Sequence, residues 1–308
     1  MIKAKNIFQY VAHSLCIHSR LALASVCAMV LVFGTSSALA FRNTDIVVIG
    51  DSQISVGSGR PMSRFFGNLA AACAPHVEIT GHRKALRNRS FGMLGIRATS
   101  LQSWTTTSGS AWNQLCRRDR RFGVNGTGWG TLKSRRFSIQ VGRGAKYQFC
   151  SRRRYPIANM FAPGYYRPKV VVFYIGGQGA GRLAGNPARA RRDVDRIIAA
   201  LPRGTRCIHM PTVPIYSAKR NRTRARAFRN IKAAFDRHPN RCATIAGFTP
   251  GAIGLTQGRR RFFQYGRRFD QWHPNRTASA RYLQRVRPAL CRALGKALAS
   301  HVQAADRS

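Results

Sequence analysis

The sequence predicts an α/β fold, a doubly wound parallel sheet interrupted by one irregular insertion. Two observations predict the sheet. Four short runs are apolar almost without a break: Asp45–Ile49, Lys169–Gly177 (KVVVFYIGG), Arg206–Pro214 (RCIHMPTVP) and Cys242–Phe248 (CATIAGF). Strands covered on both faces of a parallel sheet have this composition. Helical patterns separate the runs, so strand and helix alternate along the chain. The insertion is predicted by a third observation, a Gly-, Arg- and Trp-rich stretch at about 102–168 that breaks the alternation.

In chain order, residues 1–40 read as an export signal. Lys3, Lys5 and Arg20 precede the apolar run Leu21–Phe33, and Ala38-Leu39-Ala40 is a small-x-small cleavage pattern. Thirteen apolar residues are short for a membrane span of about 20. The remaining 41–308 is long enough for one α/β domain of flavodoxin-like winding. Its first helix is read at Pro61–Cys73, the next at Asn186–Leu201, a third at Ser217–Arg237, and the last from about Pro274. Within the insertion, Arg136–Phe149 (RFSIQVGRGAKYQF) places two alternating runs around glycines, a β-hairpin pattern.

Beyond the export segment the cysteines are Cys73, Cys116, Cys150, Cys207, Cys242 and Cys291. None forms a CxxC pair or stands at zinc-ligand spacing from a histidine, so no metal and no cofactor is expected. An even number in an exported chain points to disulfides. Cys207 with Cys242 is the pairing that can be argued, each opening an apolar run read as one of two neighbouring strands, while Cys116 and Cys150 are placed to tie the insertion.

Charge is the least ordinary feature: 53 basic residues stand against nine acidic ones, a formal charge of +44. Such a field concentrates polyanions at the surface. Arginine is spread along the whole chain, so general surface adhesion competes with a dedicated polyanion site. Export argues against a specific nucleic-acid role and leaves envelope glycans or lipids, including transient contact with a membrane surface, as the expected partners.

The chemistry begins at the end of the first strand. DIVVIGDSQISVGSG (Asp45–Gly59) spends one of the nine acids, Asp51, directly before a serine. Ligands of open parallel sheets bind at the carboxyl ends of the strands, where Ser52 lies. A hydroxyl is a weak nucleophile until a base takes its proton. After the last strand comes FDQWHPN, in which Asp270 precedes His273 by three residues and can orient one ring nitrogen while the other faces a serine.

GDSQ (Gly50–Gln53) after a buried strand, with DQWHP (Asp270–Pro274) near the C-terminus, resembles the SGNH, or GDSL-like, serine hydrolase superfamily. The resemblance covers the order of elements over about 45–295, with sharp motifs at its two ends. It implies an SGNH hydrolase-type fold with Ser52 as nucleophile, His273 as base and Asp270 as its orienting acid. It also implies an oxyanion hole from the Ser52 amide, a glycine after the second strand, here Gly95, and an asparagine in a G-x-N-D motif. This sequence departs there: it reads Gly176-Gly177-Gln178-Gly179, so Gln178 stands in the asparagine's place and the aspartate is missing. Losing one oxyanion donor costs about 100- to 1000-fold in rate.

Other residues compete for these roles. Asp236, His238 and Pro239 form a similar but shorter motif at a helix end, where a histidine suits the negative dipole. His209, inside an apolar run, reads as a core histidine. Around the proposed base, Arg259, Arg260, Arg261, Arg267 and Arg268 alternate with Phe262, Phe263, Tyr265, Phe269 and Trp272. Arg267, Arg268 and Trp272 are thereby candidates for gripping an anionic substrate through ion pairs and cation–π contact. The function expected is an exported serine esterase acting on O-acyl or O-acetyl groups of an envelope glycan or lipid. An O-acyltransferase on the same residues and a noncatalytic polyanion-binding protein are its alternatives.

Overall fold

The computed structural model describes residues 44–96, 98–113, 115–116, 126–132, 135–136, 149–163 and 166–305, as backbone alone at 126–132, 135–136 and 302–305. Residues 1–40, read as an export signal, and most of the hairpin read at Arg136–Phe149 lie outside the described residues. The strands are β1 (Ile46–Gly50), β2 (Phe91–Ile96), β3 (Gly126–Leu132), β4 (Arg135–Arg136), β5 (Val170–Tyr174), β6 (Arg206–His209) and β7 (Cys242–Thr244), in the spatial order β4-β3-β2-β1-β5-β6-β7. β1 pairs in parallel with β2 and β5, β5 with β6, and β6 with β7. Counting these parallel strands alone, the order is 2-1-3-4-5, the doubly wound α/β arrangement. β3 runs antiparallel to β2, and β4 antiparallel to β3. The insertion therefore extends the sheet at its β2 edge.

β1 is central because all five of its residues are buried. A fully buried Val or Ile contributes roughly 1.5–3 kcal/mol, and no other placement covers both faces. On one face Ile46 and Val48 pack with α1 (Gly59–Gly67), α2 (Leu69–Cys73) and the long C-terminal helix, through Phe65, Phe66, Leu290 and Leu294. On the other, Phe173 of β5 stacks on Phe235, 6.2 Å between ring centres. The remaining helices are α3 (Thr80–Ala85), α4 (Leu101–Thr105), α5 (Pro156–Met160), α6 (Ala180–Gly185), α7 (Pro187–Ala200), α8 (Ala218–Phe235), which carries Phe235, α9 (Pro250–Thr256) and the C-terminal α10 (Arg276–Ala305). α7 starts at a proline behind the Asn186 cap and α8 behind the Ser217 cap, each cap side chain accepting an amide of the first turn.

β2 is the strand that apolar pattern alone does not announce. Phe91–Ile96 contains Gly92 and Gly95, which weaken a strand signal. Gly95 has a packing reason: a Cβ there would lie 2.5 Å from Ile54 Cγ2. The insertion is also less irregular than its composition, since α4 and α5 belong to it and Trp104, Leu115, Phe149, Ile157 and Met160 are buried.

Three disulfides join described residues: Cys73–Cys291, Cys116–Cys150 and Cys207–Cys242. Cys207 and Cys242 are register partners on β6 and β7. Disulfides in this number belong to oxidising, extracytoplasmic compartments. Among the described residues no helix is long and apolar enough to cross a membrane.

His209 at the end of β6 has no exposed surface and stacks between Phe228 and Phe235, at 5.4 and 5.1 Å. Its Nε2 lies 3.3 Å from the Ile175 carbonyl oxygen, and burial pushes the imidazole down to about 4. The unfolded chain takes up this proton near pH 6.5 and the folded chain only near 4, so the stability contribution is intact above 6.5 and lost as pH falls between those values. The shift corresponds to about 3 kcal/mol. Urea unfolding at pH 7 and pH 4.5 should therefore show a larger acid loss in wild type than in His209→Gln. Equal losses would mean the ring is already charged in the fold.

Candidate active site

The strand order reverses at β1: the chain moves first to β2 on one side, then crosses to β5 on the other. That switch point opens a crevice at the carboxyl end of β1, and Gly50-Asp51-Ser52 stand there. Gly50 has no room for a side chain, since a Cβ would meet Ile54 Cδ1 at 2.3 Å. Asp51 is 2% exposed. Its Oδ1 accepts the Gln53 amide at 2.9 Å, and the carboxylate also accepts the Gly177 amide from the loop after β5. Burial raises its pKa, opposed by those two hydrogen bonds and by the charges of Arg224 and His273. Arg224, itself 4% exposed on α8, binds the Val213 carbonyl at 3.1 Å and the Thr212 hydroxyl.

Gln53 is buried as well. Its side-chain amide donates to the Val213 carbonyl at 3.0 Å, and its Oε1 accepts the Tyr174 hydroxyl at 3.1 Å. Thr99, after β2, donates to the Ile96 carbonyl at 2.8 Å and reaches the Gly50 carbonyl at 3.4 Å. The loops after β1, β2, β5 and β6 are thus stitched together beneath Ser52.

Ser52 and His273, 221 residues apart in sequence, meet above this base: His273 Nε2 lies 2.9 Å from Ser52 Oγ. His273 Nδ1 lies 2.7 Å from Asp270 Oδ2. Asp270 Oδ1 accepts the amides of Trp272 at 2.9 Å and His273 at 3.3 Å, which closes the turn. Burial alone would raise the Asp270 pKa, but the ring hydrogen bond and these amides outweigh it, and the net shift is downward. Asp270 is therefore a carboxylate at neutral pH. That fixes the histidine with Nδ1–H as donor to Asp270 and Nε2 free to accept from the serine hydroxyl.

Two residues hold this loop in a way the sequence did not suggest. Tyr265, on the hairpin of β8 (Gln264–Tyr265) and β9 (Arg268–Phe269), donates toward the carbonyls of His273 at 3.0 Å and Pro274 at 2.8 Å. Gly57 lies in a π-helical turn, Ile54–Ser58, that follows the serine, and a Cβ there would stand 2.0 Å from the Pro274 carbonyl oxygen. The nucleophile segment and the histidine loop touch through backbone. A glycine five residues after Ser52 was the available signal, in ISVGSG (Ile54–Gly59), but its neighbour is remote in sequence.

The remaining candidates are placed differently. Gly95 is inside β2, opposite Gly50 on one side and Thr127 on the other, rather than on the loop after the strand. The need for glycine there is the close approach of Ile54. On the loop itself Ala98 has φ of 60°, a left-handed backbone uncommon for a residue with a side chain. Gln178 is exposed and lines a cleft of about 290 Å³ with Ala98, Ser100, Trp112 and Arg182. Arg182 lies over the Trp112 ring, 3.2 Å from its centre. Arg267 and Arg268 are exposed at the β8–β9 hairpin. Trp272 is 43% exposed and carries the Arg220 guanidinium over its ring at 3.6 Å. His238 pairs with Asp195 at 3.0 Å, and Asp236 pairs with Lys232.

Among solved structures, a DUF4886 family protein from Bacteroides uniformis ATCC 8492 is similar at 11% identity, covering 84% of this chain and 95% of that one with a TM-score of 0.42. The C-terminal catalytic domain of Streptococcus pneumoniae peptidoglycan O-acetyltransferase A, with a methylsulfonyl adduct, is similar at 14% identity, covering 86% and 95% with a TM-score of 0.29. Likeness at this level extends to no residue of the site. No protein-family model matches the chain, and no curated protein matches it.

Gly57→Ala should destabilise the fold by roughly 1–3 kcal/mol, because the new methyl must push the Pro274 carbonyl away. Calorimetry checks this, and an unchanged melting temperature would mean the two segments are not in fixed contact.

Proposed function

We propose that this protein is an extracytoplasmic serine hydrolase that cleaves O-acyl or O-acetyl esters of an anionic envelope glycan or lipid. One observation carries the reading: a serine, a histidine and an ionised aspartate joined by hydrogen bonds of 2.9 and 2.7 Å at the switch point of the sheet. His273 takes the Ser52 proton as Oγ attacks the acyl carbonyl, and Asp270 stabilises the imidazolium that forms. The histidine then gives the proton to the leaving alkoxide. Water, deprotonated by the same ring, releases the acyl group from Ser52.

The oxyanion of the tetrahedral intermediate needs donors on the side of Ser52 away from His273. The Ser52 amide and the Gln178 side chain are assigned to it, with the loop after β2 at Ala98 supplying the third position in place of Gly95. Arg267, Arg268 and Trp272 flank the histidine loop and are assigned to an anionic leaving group. If a sugar hydroxyl outcompetes water, the same residues make the protein an acyltransferase. The formal charge of +44 also supports a noncatalytic polyanion-binding reading.

A fluorophosphonate probe should label the folded wild-type protein and fail to label Ser52→Ala. Absence of labelling in wild type would move the polyanion-binding reading to first place. Asp270→Asn, which keeps the shape but not the charge, should lower short-chain p-nitrophenyl ester turnover by ~10⁴-fold. A loss under tenfold would mean that Asp270 does not orient the ring.

A further inference from the structure

A second feature lies beside the triad. A groove of about 630 Å³ runs between α1 and α10, walled by Arg60, Arg64, Arg276, Arg281 and Arg287 with Gln284. No acidic residue lines it. Among the described residues none of the five arginines has a carboxylate within ion-pair distance, and Arg287 Nε is buried with no hydrogen-bond partner. Like charges gathered around one concavity repel each other, and a bound anion relieves that repulsion.

The position is informative too. Arg60 follows the π-helical turn that carries Gly57, and Arg276 opens α10 three residues after His273, so one end of the groove lies where the two halves of the triad meet. From Arg276 to Arg287 the α10 wall rises ~16 Å. A site of that length takes a chain with several charges rather than a single small anion.

We infer that this groove binds the backbone of a linear acidic glycan, whose carboxylate or phosphate groups pair with the guanidinium forks. The inference deepens the proposed function and rests on it only for which ester of that polymer reaches Ser52. Guanidinium matches both oxyanions in bidentate geometry. The walls argue against nucleic acid: their one aromatic residue, Phe65, is buried, while Pro61, Ala72, Ala280 and Leu283 offer no aromatic face on which a base could stack. A concave track also fits a single chain better than a flat membrane surface.

The test is fluorescence anisotropy of the full chain with a labelled oligogalacturonate, a short polyphosphate and an oligothymidylate. Wild type is compared with Arg64→Gln/Arg281→Gln/Arg287→Gln and with a charge-matched control on the exposed stretch before α5, Arg152→Gln/Arg153→Gln/Arg154→Gln. The groove variant should bind the uronate or phosphate chain about tenfold more weakly, and the control within about threefold of wild type. Which chain responds identifies the anion. Equal loss in both variants would reduce the groove to general surface charge, and tighter groove-dependent binding of oligothymidylate would overturn the glycan assignment. Absence of measurable binding to any probe would overturn the inference outright. Should the triple variant fail to fold, Arg64→Gln/Arg281→Gln, both exposed, carries the same comparison. Binding does not require turnover, so failure here leaves the fluorophosphonate result intact, and failure of labelling leaves the groove intact.

Discussion

A buried carboxylate organises this molecule. Asp51 is removed from water at the end of β1, and an unpaired charge there would cost several kcal/mol. The fold supplies amides from Gln53 and Gly177 and places the Arg224 guanidinium of α8 nearby. Satisfying Asp51 therefore ties the loop after β1 to the loop after β5, and Arg224 and Gln53 extend the tie to Val213 after β6. Ser52 is held by what its neighbour requires. The Asp51 side chain accepts the Gln53 and Gly177 amides, and the nearby Arg224 guanidinium offsets part of what burial costs it.

The second constraint is steric. The histidine loop has no strand to fix it, and the β8–β9 hairpin is short and exposed. Its position comes from contact between backbone and backbone, Gly57 against Pro274, and from the Tyr265 hydroxyl bridging two carbonyls. Electrostatics then completes the geometry, since Asp270 closes its own turn with one oxygen and orients the ring with the other. The large positive charge acts at longer range, and the groove between α1 and α10 gathers five arginines of it with no acidic residue in the lining.

The parallel strands could be read because β1, β5, β6 and β7 are continuous apolar runs. β2 could not, because it carries two glycines, and the one at Gly95 answers to Ile54 across the fold rather than to any local pattern. The same misreading placed Gly95 on a loop, whereas it lies within the strand. Ser52, Asp270 and His273 were legible through short motifs whose members are close in sequence. Arg220 over Trp272, Tyr265 under the histidine and Arg224 under Asp51 were not, since each acts on a partner that only the tertiary fold brings near. The α1–α10 groove was hidden for another reason: its arginines are ordinary helix-surface residues until two helices remote in sequence are packed together.

The Cys73–Cys291 disulfide joins α2 to α10 across 218 residues. During synthesis Ser52 precedes His273 by 221 residues, and Cys73 precedes its partner Cys291 by 218. The bridge itself can close only after the polypeptide has left a reducing milieu. Timing and redox environment therefore act together: the Ser52–His273 pair is covalently secured only once α10 has been made and its cysteine oxidised.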